Sequence, residues 1–311
     1  MILVLLIIAQ LNVNDYGYTG LPSNAALLGA AGCGVANVLD PVFYNPAYCA
    51  VNPYQGIYFS VVNYQRKQEN IFSYPYPALS DITGNFINSA TLYSRNTAVF
   101  WRILEFNEVD SLVNDSTHHF NIRADEFGLG YAIRDADFYN FMIGFNIKYI
   151  HISTDHLYYP QQNNINPSDI IHEKTSSHGI YTDLGLGYKF NIITLGISSR
   201  NLWGKIFSAD YSLPPVYLGG VNIHNKYFSG GYQFQYRDKF YQYSHHYYLG
   251  FQYYNFAVNL GRIDEKDNIT YTSGISWKYH PAFVSLAFWS EEVSFDEDYR
   301  VYLTLGFKFG K

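Results

Sequence analysis

Residues 301–309 read VYLTLGFKF. Successive side chains of an extended chain point to opposite faces, so Val301, Leu303, Leu305, Phe307 and Phe309 share one side and Tyr302, Thr304, Gly306 and Lys308 the other. One face is large and apolar; the other is small or polar. The same division recurs upstream. In NFMIGFNIKYIH (140–151), Phe141, Ile143, Phe145, Ile147 and Tyr149 oppose Gly144, Asn146 and Lys148. In DLGLGYKF (183–190), Leu184, Leu186, Tyr188 and Phe190 oppose Gly185, Gly187 and Lys189. In FSGGYQFQYR (228–237), Phe228, Tyr232, Phe234 and Tyr236 oppose Ser229, Gln233, Gln235 and Arg237. A secreted soluble sandwich would also alternate, burying the row from Val301 to Phe309 against a second sheet. Its polar faces would then carry Lys, Glu and Asp freely. Here those faces carry Gly and uncharged amides, which suits a crowded or water-filled lumen.

Composition agrees. Charged residues make up 15% of the 311-residue chain, against about 25% in ordinary soluble domains. Aromatic residues make up 19%, with 32 Tyr among them, and Tyr is favoured where one end of a ring is apolar and the other wet. No apolar run after the N-terminus is long enough for a membrane-spanning helix. A membrane barrel, whose apolar residues are dispersed by alternation, satisfies all three observations. The net charge of −6 without a basic cluster excludes nucleic acid as a partner.

Connection lengths supply an independent reading. Alternating segments predict strands at 56–66, 70–77, 96–106, 118–134, 138–153, 177–190, 193–201, 214–223, 227–237, 245–254, 256–262, 269–279, 282–290 and 299–309. Short turns near Asn191, at 224–226, at Asn255 and at His280-Pro281 alternate with longer connections such as 154–176, 202–213 and 263–268. Long loops at one end and short turns at the other are the pattern of an outer-membrane barrel. The prediction is an all-β fold: a transmembrane antiparallel up-and-down β-barrel of about 14 strands, an even number as closure requires. The stretch 78–95 disturbs the alternation and reads as strand extensions, a small helix or an insert.

Three regions follow. Residues 1–10, MILVLLIIAQ, read as the apolar core of a secretory signal peptide. Residues 11–55 read as an N-terminal hatch or plug, too short to hold a core unaided. Residues 56–311 form the barrel. Cys33 and Cys49 are the only cysteines, and the sequence leaves open whether they pair or stay as buried thiols.

The segment GLPSNAALLGAAGCGVANVLDPVFYNPAYCAVNP (20–53) resembles the N-terminal signature of the PorV/PorQ family, which belongs with the FadL-like outer-membrane transport proteins. Small residues, among them Gly29, Gly32 and Gly34, precede Asp40 and then the element Tyr44-Asn45-Pro46-Ala47. Cys33 and the reduced acidic turn at Asp40 depart from the family pattern. The resemblance implies a fourteen-stranded barrel in the bacterial outer membrane, surrounded by outer-membrane lipid, with its N-terminal segment folded into or across the lumen. It implies passage of hydrophobic small molecules or, alternatively, service as an accessory barrel of a protein secretion system that binds exported or periplasmic proteins. The residues agree with a structural part for this segment. Pro46 biases Asn45 toward extended geometry, Asn45 can bond a tight turn, and the Gly/Ala run permits close backbone packing.

No cofactor, metal or catalytic constellation is expected. His118-His119 and His245-His246 are adjacent on strands, so the members of each pair point to opposite faces. His151, Ser153 and Asp155 share a face in HISTDH (151–156), without an oxyanion motif beside them. Asp296, Glu297 and Asp298 read as a solvated acidic loop.

Overall fold

The computed structural model describes residues 25–37, 41–51, 55–65, 87, 89–113, 116–135, 140–160, 171–207, 213–237, 242–265, 268–290 and 299–309. Fourteen strands close into one barrel: β1 (Gly56–Gln65), β2 (Ser89–Ser94), β3 (Thr97–Val113), β4 (Ser116–Arg134), β5 (Phe141–Pro160), β6 (Ile171–Phe190), β7 (Ile193–Ile206), β8 (Val216–His224), β9 (Phe228–Arg237), β10 (Gln242–Tyr253), β11 (Phe256–Glu265), β12 (Asn268–Tyr279), β13 (Ala282–Ser290) and β14 (Tyr299–Lys308). Each strand pairs antiparallel with the next. The seam is β1 against β14, in register from Gly56↔Lys308 to Gln65↔Tyr299. Closure pairs every strand on both sides and leaves no sheet edge.

The predicted faces are the observed ones. Phe145 and Ile147 are 41% and 50% exposed, whereas Asn146 and Lys148 between them are 0% and 1%. On β14, Leu305 and Phe307 face outward and Thr304 is buried. No second sheet covers the row from Val301 among the described residues, so the sandwich alternative does not hold.

Tight turns at 95–96, 191–192, 225–227, 254–255 and 280–281 share one end of the barrel with 135–140. Local chemistry shapes them. Asn191 takes the left-handed conformation (φ 54°), which Asn tolerates better than most residues. The Asn225 side-chain oxygen accepts the N–H groups of Tyr227 and Phe228, both at 2.8 Å.

Two expectations need correction. The second strand of the barrel is Ser89–Ser94, inside the stretch 78–95 read as strand extensions, a small helix or an insert; the predicted strand at 70–77 lies outside the described residues. With β2 there, Arg95-Asn96 becomes the tight turn and the long connection 66–88 belongs to the other end, which restores the alternation. The connections expected at 154–176 and 263–268 shrink to 161–170 and 266–267, because the strands continue past them. β3 to β6 consequently run 17, 19, 20 and 20 residues, against about 9–11 needed to cross a bilayer.

Inside the barrel lie helix α1 (Ala25–Gly29), helix α2 (Pro41–Tyr44) and a 3-10 helix (Pro46–Val51). We call this stretch the inner segment. α1 rests on β11–β14, and the 3-10 helix rests chiefly on β4–β6. Cys33 and Cys49 are both buried, and no disulfide joins them. They pack in separate clusters, Cys33 with Ala30 and Tyr248, Cys49 with Val42, Phe43 and Tyr44 among others.

Candidate functional site

The candidate site is the contact between the inner segment and the wall. α1 ends in a left-handed cap: Ala31 has φ 51°, its N–H donates to Leu28 O at 2.8 Å, and Gly32 N–H donates to Leu27 O at 2.9 Å. Gly32 follows in the same left-handed region (φ 69°), where a side chain would be strained. The chain then folds back so that Gly34 lies flat on the Tyr44 ring; a Cβ there would fall 2.4 Å from the ring.

Asn45 is the hub of the predicted motif. Its amide group donates to Val35 O and to Leu186 O of β6, both at 2.8 Å. Its side-chain oxygen accepts Ala47 N–H at 3.2 Å, and its own N–H reaches Pro41 O at 2.8 Å. Asn45 is fully buried, and its side chain is spent on holding the segment. The wall makes room with glycine. A Cβ on Gly185 would sit 2.0 Å from Asn45 Oδ1, and one on Gly196 would sit 1.8 Å from Val35 O. Gly144 plays the same part under Pro46 and Ala47, and Gly274 meets Gly29 backbone to backbone. Gly34 thus packs on Tyr44 while Asn45, Pro46 and Ala47 lie against β5 and β6; Gly29 sits apart on β12, Gly32 belongs to the α1 cap, and Asp40 lies outside the described residues.

Wall side chains grip the same segment. Gln233 Oε1 accepts two N–H groups, Gly34 at 3.0 Å and Val35 at 2.9 Å. Asn146 donates to Val42 O at 2.6 Å, and Ser198 donates to Tyr44 O. Thr304 Oγ1 accepts Ala25 N–H at 2.8 Å and also bonds Ser60 across the β1–β14 seam at 2.8 Å. His246 donates from Nδ1 to Ala31 O at 2.7 Å and meets Ser244 Oγ through Nε2 at 2.9 Å. None of these partners stands near the segment in sequence. The only available signal was their polar identity on the lumen-facing side of an alternating strand.

A buried ionic chain crosses five strands behind α2. Arg102 of β3 pairs with Glu126 of β4 at 2.8 Å. Lys148 of β5 gives its three protons to Glu126 at 3.2 Å, Asp183 of β6 at 2.7 Å and Asn201 of β7 at 2.7 Å. Asn201 sits at a bulge with φ 52°, and Asp183 fixes it by accepting its N–H at 2.8 Å. The chain touches the inner segment through Asn146 and through Arg102, whose guanidinium lies 4.6 Å above the centre of the Phe43 ring. Arg200 is 3% exposed nearby, and its Nε and Nη1 have no hydrogen-bond partner. The group thus holds three cations and two carboxylates.

The other sequence candidates do not join this site. His245 faces outward among Tyr232, Tyr243 and Tyr247, whereas His246 faces inward. His151 packs edge-on against His178, Ser153 bonds Arg123 O at 3.4 Å, and Asp155 pairs with His172 and Lys174. The side chains of His118 and His119, and the acidic loop 296–298, lie outside the described residues. Among the described residues no group of His, Cys, Asp and Glu is placed to hold a metal.

Two spaces adjoin the segment's seat. A cavity of about 290 Å³ opens at the turn end beneath α1. A groove of about 780 Å³ runs on the outside of β8–β11, walled by Ile223, Phe228, Leu249 and Leu260 and floored by Gly230. Gly230 keeps both neighbours, Ile223 and Leu249, so the ladder beneath the groove is unbroken.

No protein-family model matches the chain, and no curated protein does. Solved structures do. The chain is similar to the Ralstonia pickettii toluene transporter TbuX, at 11% identity and a TM-score of 0.64 over 94% of this chain and 100% of that one. It is similar to a Pseudomonas aeruginosa FadL homologue, at 10% identity and a TM-score of 0.61 over 92% and 98%. A ΔS2S3 mutant of TodX, a monoaromatic hydrocarbon channel, matches at 9% identity and a TM-score of 0.55 over 90% and 99%. The chain has the fold of these FadL-like barrels.

Proposed function

We propose that the chain spans a bacterial outer membrane and passes hydrophobic small molecules, with residues 11–55 serving as its plug. The observation that carries this reading is the contrast between the two faces of the wall. Outside, Leu129, Ile147, Leu195, Ile197, Leu249, Leu260 and Ile275 are each 47% exposed or more, an apolar surface far larger than a soluble monomer presents to water. Inside, the lumen is occupied by a segment fastened both by hydrogen bonds from polar wall residues such as Gln233, Asn146 and Thr304 and by apolar packing of Val42, Phe43 and Tyr44 on Phe100, Ala98 and Leu218. A wall of this kind sits in lipid, and a lumen of this kind resists free leakage. The neighbours named above are a toluene transporter and a monoaromatic hydrocarbon channel, which supports an apolar passenger. The burial of Tyr44-Asn45-Pro46-Ala47 supports the PorV/PorQ form of the reading. The test is uptake: outer-membrane vesicles carrying the chain should accumulate a radiolabelled monoaromatic hydrocarbon faster than vesicles without it. Equal rates would defeat the proposal.

One observation favours a second reading, an accessory barrel for protein secretion. β3–β6 are about twice the length a bilayer needs, so they carry a wall beyond the membrane at the loop end, and such a wall offers surface to an exported protein. On that reading the barrel co-purifies with an exported protein and leaves hydrocarbon uptake unchanged.

A further inference from the structure

The cavity under α1 has a charge pattern that neither reading requires. Lys189 at the end of β6, His224 at the end of β8 and Lys278 at the end of β12 all line it. No described carboxylate does. This is unexpected in a chain with 26 acidic and 20 basic residues. Elsewhere in the lumen the cations Arg102 and Lys148 are matched to carboxylates at hydrogen-bond distance. Neither Lys189 nor Lys278 has an ion pair among the described residues. Between the basic groups stand neutral hydrogen-bonding side chains, Asn222, Gln252 and Asn259 among them. The inner segment contributes the apolar Ala26, Ala30 and Ala36 beside Asn37 and Tyr48.

We propose that this cavity binds an oxyanion, a carboxylate or a phosphate, between Lys189 and Lys278. A lysine ammonium is a compact charge on a flexible stem, so two of them from different strands can close on one small anion without the fixed geometry that arginine imposes. The amides supply further donors. The alanine side accepts a short alkyl or aryl group attached to the anion. The volume is at the lower end of the range for small-molecule pockets, about 300 Å³ and upward, which limits the occupant to a small ion or one end of a longer molecule. The occupant sits directly against the inner segment. The inference stands on the cavity alone and does not depend on hydrocarbon passage.

The test is calorimetric titration of the full-length barrel, folded in nonionic detergent at low ionic strength, with inorganic phosphate and separately with octanoate. At least one anion should bind, and binding should weaken as salt is added. Lys189→Gln with Lys278→Gln should bind about tenfold more weakly or worse, having lost two charge-assisted contacts. Lys189→Arg with Lys278→Arg should retain binding, and Lys205→Gln, an exposed lysine on β7 outside the cavity, should not change it. Phosphate alone would identify a free solute as occupant; octanoate alone would identify the charged end of an organic molecule. Absence of binding by either anion, or equal binding by the double Gln protein, would overturn the proposal. Anion binding without hydrocarbon uptake would leave this site standing and remove the passage reading.

Discussion

The two sides of the barrel hold the inner segment by different means. On the β3–β7 side the wall is tall and the neutral bonds from Asn146 and Ser198 and to Leu186 are backed by a buried ionic chain centred on Lys148, which reaches Val42 through Asn146 and the Phe43 ring through Arg102. On the β8–β14 side the wall is shorter and the contact is neutral, made by Gln233, His246, Thr304 and the glycine meeting of Gly29 with Gly274. The difference lies in what happens when a contact is lost. A neutral grip is a set of separate hydrogen bonds that can be released one at a time. An ionic chain fails as a unit, because removing one member strands a charge in a low-dielectric interior. The ionic side therefore acts as the fixed foundation and the neutral side as the releasable one.

Four substitutions would break or sharpen this contrast. Lys148→Met should have the largest effect. It leaves Glu126 and Asp183 without their shared cation and should lower stability by about 3–5 kcal/mol, read as loss of the folded band in denaturant titrations of the detergent-solubilised barrel. Gln233→Met orphans the Gly34 and Val35 N–H groups, about 1–3 kcal/mol for each buried donor. Its effect should be local: the Cys33 thiol, whose ionisation burial suppresses, should become open to maleimide while the barrel's unfolding midpoint moves little. Equal loss of global stability in these two variants would erase the distinction between the sides. Gly196→Ala forces a methyl into Val35 O and should loosen the same stretch by about 1–3 kcal/mol, seen as a rise in single-channel conductance in planar bilayers. Arg200→Met should matter least. It removes the unmatched cation while keeping an apolar stem, so stability should change by less than about 1 kcal/mol or improve. A large loss there would mean that Arg200 has a partner of its own.

Much of the fold was legible because a strand's alternation is local. The faces of 141–149 and 301–309 were readable residue by residue, and the tight turns at Asn191, 224–226 and Asn255 announced themselves in their asparagines. β2 was missed for a physical reason. Six residues, SATLYS, give too few alternations to stand out, while the nearby aromatic run IFSYPYPA has the composition of a strand. The extension of β6 was missed because HEKTSS (172–177) is polar on both faces and gives no alternation to read. The seat of the inner segment was half visible. The Gly/Ala run and Asn45-Pro46-Ala47 marked one partner. The other consists of single residues on separate strands, such as Asn146, Ser198, Gln233 and Thr304, joined only by register. The ionic chain has the same character: Arg102, Glu126, Lys148 and Asp183 each look like an isolated lumen charge until pairing places them side by side.

Thr304 links the contents of the barrel to its closing. The hydroxyl stands on the last strand, opposite Ser60 on the first, and also receives the N–H of Ala25. The final zipper of the cylinder is therefore completed by what the cylinder contains. A chain that closed around an empty interior would keep the Ser60 bond but lose the one from Ala25 at the very seam where first and last strands meet. The join between first and last strands is thereby one hydrogen bond stronger when the interior is filled.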